Sequence, residues 1–78
     1  MSKLQITNII RRLRFENDEM TQQELADAAG CTRQTIAAIE KTNYSPSLEL
    51  AVRIAMALGK PLNEVFIIEN DSTGVKDE

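Results

Sequence analysis

The sequence predicts an all-α fold of five short helices. Three observations carry this. Apolar residues recur at helical spacing in short segments. Threonine or serine stands at the start of three segments, at Thr21, Thr32 and Ser47. Glycine or proline closes or separates them, at Gly30, Pro46, Gly59 and Pro61.

The first helix is expected from a cap at Thr7 or Asn8 to about Glu16. Ile6, Ile9, Ile10 and Leu13 form its apolar stripe, with Arg11, Arg12 and Arg14 on other faces. The polar run Glu16-Asn17-Asp18-Glu19 ends it. Thr21 followed by Glu24 is a capping-box pattern, which starts a second helix over residues 22–28. Gly30 suits the left-handed residue that closes a helix. Thr32 caps a third helix, about residues 33–41.

Pro46 disfavours helix at Ser45, so residues 43–46 form a loop. Ser47 caps the fourth helix. Its Leu48, Leu50, Ala51, Val52, Ile54, Ala55 and Leu58 cover most of its circumference, so burial on nearly all sides is expected. Gly59 stops it, and Pro61 opens a fifth helix over about residues 62–66. Leu4-Gln5-Ile6 and Phe66-Ile67-Ile68 alternate too briefly for a firm assignment, and a two-stranded ribbon between them is one reading.

Composition narrows the function. The chain has 78 residues, one cysteine and no histidine. An intrachain disulfide is therefore impossible, no metal cluster is evident, and no cofactor is expected. The N-terminus carries no signal-peptide apolar core, and no apolar run approaches ~18 residues. A cytoplasmic protein with no membrane partner is the expectation. The absence of histidine, of a metal cluster and of a glycine-rich phosphate loop argues against an enzyme. Cys31 sits at a turn position that favours a small apolar residue, and a redox thiol is the alternative reading.

The net charge of −3 by itself opposes a nucleic-acid partner, but its distribution does not. In residues 69–78, Glu69, Asp71, Asp77 and Glu78 face only Lys76, a net of −3. Residues 1–68 then hold eight basic and eight acidic side chains. We therefore expect one neutral domain over 1–68 and an acidic tail without regular structure over 69–78.

The stretch TQQELADAAGCTRQTIAAIE, residues 21–40, carries the functional signal. Isolated helices of about eight residues are marginal. A pair joined across one glycine makes sense where geometry matters. Leu25, Ala29, Cys31, Ile36 and Ile39 can face inward, Ala26 allows close approach, and Gly30 supplies the turn. These features specify two helices crossing at roughly 90–120°, a helix-turn-helix over about residues 21–41. The outer face of the second helix of the pair is Thr32, Arg33, Gln34, Thr35 and Ala38, with Lys41 beyond. Arginine suits guanine, glutamine suits adenine, and methyl groups suit thymine. Backbone amides at Thr21-Gln22-Gln23 can face a phosphate. Lys41, Asn43 and Tyr44 can hold the adjoining backbone, although Tyr44 is equally readable as a lid over the core.

With NYSPSLELAVRIAMALGKPLNEVF at residues 43–66, this stretch resembles the lambda-repressor-like helix-turn-helix family of the Cro/C1 and XRE type. The likeness is to small stand-alone repressors of the enterococcal cytolysin-repressor type and covers about residues 8–66. It implies a compact five-helix fold and DNA binding through the third helix. It also implies a homodimer on a palindromic double-stranded operator, and compact relatives carry a ribbon joining the chain ends. Gln22 matches a phosphate- or base-contacting position. Arg33, Gln34 and Ala38 match base-reading positions, and Thr32 and Thr35 match positions near the backbone and base edges. Glu40 matches a residue that pairs with an arginine of the first helix, here Arg14; a solvated surface pair is the alternative. One departure is visible: the segment between Arg14 and Thr21 is one residue longer than the common spacing.

Leu62, Val65, Phe66 and Ile68 are candidates for the dimer surface, since so short a chain is poorly placed to cover them all. Closing the bottom of the monomer core is their other reading. The function expected is a sequence-specific DNA-binding regulator, with an antitoxin-like or purely protein-binding module as the alternative. No small-molecule ligand is evident.

Overall fold

The computed structural model describes residues 4–70. Its order is β1 (Leu4–Asn8), α1 (Ile10–Glu16), α2 (Gln22–Ala29), α3 (Arg33–Glu40), α4 (Leu48–Leu58), α5 (Leu62–Val65) and β2 (Phe66–Asn70). The fold is the expected small helical one, with the ribbon present. β1 and β2 pair antiparallel, from Leu4 opposite Asn70 to Asn8 opposite Phe66.

Local chemistry sets most helix boundaries. Thr21 accepts from the Glu24 amide, and the Glu24 carboxylate accepts from the Thr21 amide at 2.9 Å, completing the capping box. Thr32 and Ser47 accept from the amides of Thr35 and Leu50. Gly30 adopts φ +79° and closes α2, its amide donating to the Ala26 carbonyl at 2.8 Å. A Cβ added at Gly30 would meet only the end of the exposed Arg53 side chain, at 3.3 Å, so it is the left-handed conformation that favours glycine there.

The core forms where the elements converge. Ile10 of α1, Leu25 of α2, Ile36 and Ile39 of α3, Ile54 of α4 and Val65 of α5 are all fully buried. Ala26 is also fully buried, in the helix that packs against both α3 and α4. A longer side chain there would push those helices away from α2.

Four expectations need correction. The first helix starts at Ile10, not after Thr7 or Asn8, because both residues are committed to the ribbon. Asn8 still serves the helix start, its Oδ1 accepting from the Ile10 amide at 3.2 Å. Ile6 therefore lies on a strand, half exposed, rather than on the α1 stripe. Second, α4 is buried on one side only. Ala51, Ile54, Ala55 and Leu58 face the core, while Leu48 is 72% and Met56 75% exposed, with Val52 exposed between them. α2 and α5 pack on the core side of α4, while the side carrying Leu48, Val52 and Met56 stays open among the described residues. Third, Val65 is completely enclosed by its own monomer and cannot form part of a partner surface. Fourth, β2 runs through Glu69 and Asn70, so regular structure passes the expected boundary at residue 68. Residues 71–78 of the expected acidic tail lie outside the described residues.

Among the described residues, three non-glycines take positive φ: Asp18 (+59°), Glu19 (+55°) and Thr42 (+59°). Asp18 and Glu19 lie in the turn between α1 and α2. Their tight turn returns the chain so that the Met20 amide donates to the Arg14 carbonyl at 2.9 Å. Thr42 follows the Lys41 cap of α3, and the Asn43 amide reaches back to the Ala38 carbonyl at 2.9 Å. This is the position where helices most often place glycine, and a β-branched residue is strained there. Thr42→Gly is expected to raise unfolding free energy by about 1 kcal/mol, the typical left-handed penalty less the entropy cost of glycine. Urea unfolding of the two proteins measures it, and a loss of stability would show that Thr42 is not strained.

Candidate nucleic-acid interface

The local frame of the candidate site is an ion pair. The Arg14 Nε donates to Glu40 Oε2 at 2.7 Å, and Nη2 donates to Oε1 at 3.2 Å. Arg14 Nη1 also donates to the Met20 carbonyl at 2.9 Å. The two side chains are only 13% and 9% exposed. One guanidinium thus ties α1 to the last turn of α3 and to the segment entering α2. Its planar fork suits three acceptors in one plane, which lysine could not match.

Glu40 holds a second partner. Gln22 Nε2 donates to Glu40 Oε1 at 3.1 Å. A carboxylate only accepts, so the amide NH₂ must face it, which fixes the orientation of the Gln22 side chain. Gln22 is half-buried at the start of α2 and belongs to this clamp as well as to the candidate interface. Sequence reading assigned it to contact alone. The bond spans 18 positions and has no local signature.

The first turn of α3 presents the candidate readers. Arg33 and Gln34 are exposed, and neither side chain makes a hydrogen bond or ion pair among the described residues. Thr32 and Thr35 differ from them. Their hydroxyls lie 2.9 Å apart and bond to each other, while Thr32 Oγ1 also accepts from the Thr35 amide. Thr35 is half-buried, so its methyl and part of its hydroxyl remain for an outside contact. Ala38 is half-buried one turn further along.

Flanking groups surround this face. Gln23 is exposed, with its amide donating to Asp27 at 2.8 Å. Lys41 and Asn43 are exposed beyond α3. Tyr44 is half exposed and lines a pocket of about 230 Å³ with Ile6, Asn8, Ile39 and Phe66. Its ring therefore shields apolar groups while part of it stays in water. Asn8 Nδ2 donates to the Ile39 carbonyl at 2.9 Å, linking the ribbon to the end of α3.

Cys31 packs against the core beside the turn, and burial pushes its thiol above the ordinary value. Such a thiol is protonated at neutral pH and a poor nucleophile. Among the described residues there is no cluster of metal-ligating side chains, and no helix is long and apolar enough to cross a membrane.

The clamp has a measurable consequence. Glu40→Ala leaves the Arg14 guanidinium nearly buried without its counter-charge and should cost about 3 kcal/mol of stability. Replacing both residues by apolar ones, Arg14→Met with Glu40→Leu, should recover much of that loss. Urea unfolding of the single and double variants decides, and equal losses in both would deny the pair its charge-specific role.

Comparison with known proteins agrees with this geometry. Residues 10–65 match the family model described as helix-turn-helix. An HTH-type transcriptional regulator of Methanothermobacter thermautotrophicus is 57% identical over 53 residues, covering 67% of this chain and 77% of the relative. The HTH-type transcriptional regulator YgzD of Bacillus subtilis is 44% identical over 52 residues, 67% of this chain and 79% of its own. The cryptic phage CTXphi transcriptional repressor RstR of Vibrio cholerae is 33% identical over 69 residues, 88% of this chain and 60% of the repressor.

Proposed function

Since the chain belongs to the helix-turn-helix family of the XRE and Cro/C1 type, we propose that it is a sequence-specific transcriptional repressor that binds double-stranded DNA as a homodimer. The observation that carries this reading is the first turn of α3. Arg33 and Gln34 stand exposed there with no side-chain partner among the described residues, on a helix whose end is tied from behind by Arg14 and Glu40. Uncommitted donors on a rigid helix are what base-edge recognition requires. In the major groove Arg33 would read guanine and Gln34 adenine, with the methyl groups of Thr35 and Ala38 near thymine. Thr32, Gln23, Lys41, Asn43 and Tyr44 would contact the flanking backbone, and Gln22 would offer its remaining amide hydrogen. The relative that is a phage repressor supports repression over activation. A cytoplasmic location follows from this role.

The homodimer reading rests on a second surface. The cross-strand pair Ile6 and Ile68 shares one exposed face of the ribbon. With Leu48, Leu62, Phe66 and Pro46 it lines an apolar groove of about 360 Å³. A second copy on this groove would cover Leu48 and Ile68, 72% and 67% exposed in the monomer. Of the four residues expected at the interface, Leu62, Phe66 and Ile68 remain in this surface, joined by Ile6 and Leu48.

Selection of bound fragments from a random duplex pool should return a palindrome whose half-sites lie about one helical turn, ~34 Å, apart. Arg33→Ala and Gln34→Ala should each lose ~1–3 kcal/mol of discrimination at one base pair while the fold persists. An unchanged consensus with both variants would defeat the reader assignment. Leu48→Asp should shift sedimentation from dimer to monomer with helix content retained, and an undisturbed dimer would exclude this groove.

A further inference from the structure

The helix-turn-helix pair does not include α1, yet one face of α1 is uncovered in a combination the core does not explain. Phe15 is 68% exposed. Arg11, one turn earlier on the same helix, is also exposed and forms no ion pair among the described residues. Both line an open cleft of about 500 Å³ with Met20, Gln22, Gln23 and Arg33. The cleft runs without a break from α1 to the starts of α2 and α3. Phe15 and Arg11 also line a neighbouring cleft with Asn8, Arg12 and Glu40, so these two side chains stand between the two clefts.

Charge decides what can lie there. Arg14 reaches the same cleft but is neutralised by Glu40. Arg12 is engaged with Glu16 at 3.1 Å. Arg11 and Arg33 are left, against the single carboxylate of Glu19 among the lining residues. An apolar protein segment would cover Phe15 but would desolvate two arginines without a counter-charge. A phosphodiester strand offers both anionic groups and the less polar faces of its sugars.

We propose that the DNA interface extends beyond the helix-turn-helix onto α1. The backbone strand at the edge of the half-site enters the cleft, Arg11 binds a phosphate, and the Phe15 ring packs on the adjoining deoxyribose. The ring also excludes water from beside the guanidinium, which strengthens its attraction to the phosphate. This inference rests on the reading of α3 as the recognition helix, and it adds a contact that carries no base information.

The test compares full-length Arg11→Gln, Phe15→Ser and Arg33→Ala on the selected duplex and on a scrambled duplex, across a salt series. Both α1 side chains are exposed, so their thermal melts should match the parent. Arg11→Gln should weaken binding to both duplexes by the same factor, roughly tenfold. It should also reduce the magnitude of the salt slope by about 1, as expected for one phosphate contact. Phe15→Ser should weaken both with the slope unchanged. Arg33→Ala, in contrast, should erode the preference for the selected duplex. If Arg11→Gln and Phe15→Ser bind like the parent while Arg33→Ala loses its preference, the α3 reading stands and the α1 extension is overturned. The Phe15 ring would then serve a protein partner. If the parent shows no salt-dependent duplex binding, both readings fall together.

Discussion

The architecture depends on one carboxylate. Glu40, at the end of α3, takes two hydrogen bonds from Arg14 and one from Gln22. Each donor comes from a different helix. α1, the start of α2 and the end of α3 are therefore fixed to one point, at a site where water competes poorly. Helices of seven or eight residues have little stability of their own. Apolar packing holds them together but is tolerant of small rotations, whereas a bidentate ion pair is not. A reader helix must be held to a fraction of an ångström if its side chains are to meet particular base edges. The same arginine also fixes the turn between α1 and α2: two left-handed residues fold the chain back, and the Met20 carbonyl accepts from the Arg14 guanidinium.

What could be read from the sequence followed the reach of each interaction. Capping is local, and Thr21, Thr32, Ser47, Gly30 and Gly59 mark the helix ends where the structure has them. The inward pattern of Leu25, Ile36 and Ile39 is periodic and equally legible. The start of α1 departs from the capping preference of Thr7 and Asn8 because pairing across the ribbon outweighs it. The exposure of Leu48, Val52 and Met56 could not be read, since an apolar helix reports hydrophobicity and not which neighbours exist to cover it. Val65 escapes the sequence for the converse reason: five of the seven residues from 62 to 68 are apolar, and spacing among them does not distinguish inward from outward. The Gln22–Glu40 bond joins distant positions through side-chain geometry, so only coordinates reveal it. Thr42 breaks the local rule for its position altogether.

The two faces of the molecule divide the chemistry. One carries uncommitted polar groups on short helices, with the exposed Phe15 ring at its margin. The other carries aliphatic residues on the ribbon and α4. Asn8 bridges them, donating from the ribbon to the last turn of α3. The two binding functions proposed for these faces thus share a rigid connection, and the separation of two reader helices in a dimer would be set by the ribbon surface.

The ribbon has a kinetic implication. Leu4 pairs with Asn70, and these are the two ends of the described residues. Bringing such distant segments together carries a larger entropic penalty than docking neighbouring helices, and pairings of this kind tend to form late. During folding the helical nucleus should therefore precede closure of the two strands. Ile6 and Ile68 come into register only at that closing step, so the sticky patch is assembled last. Until that step both strands present unpaired edges, so a folding molecule would be most prone to aggregate just before the ribbon closes.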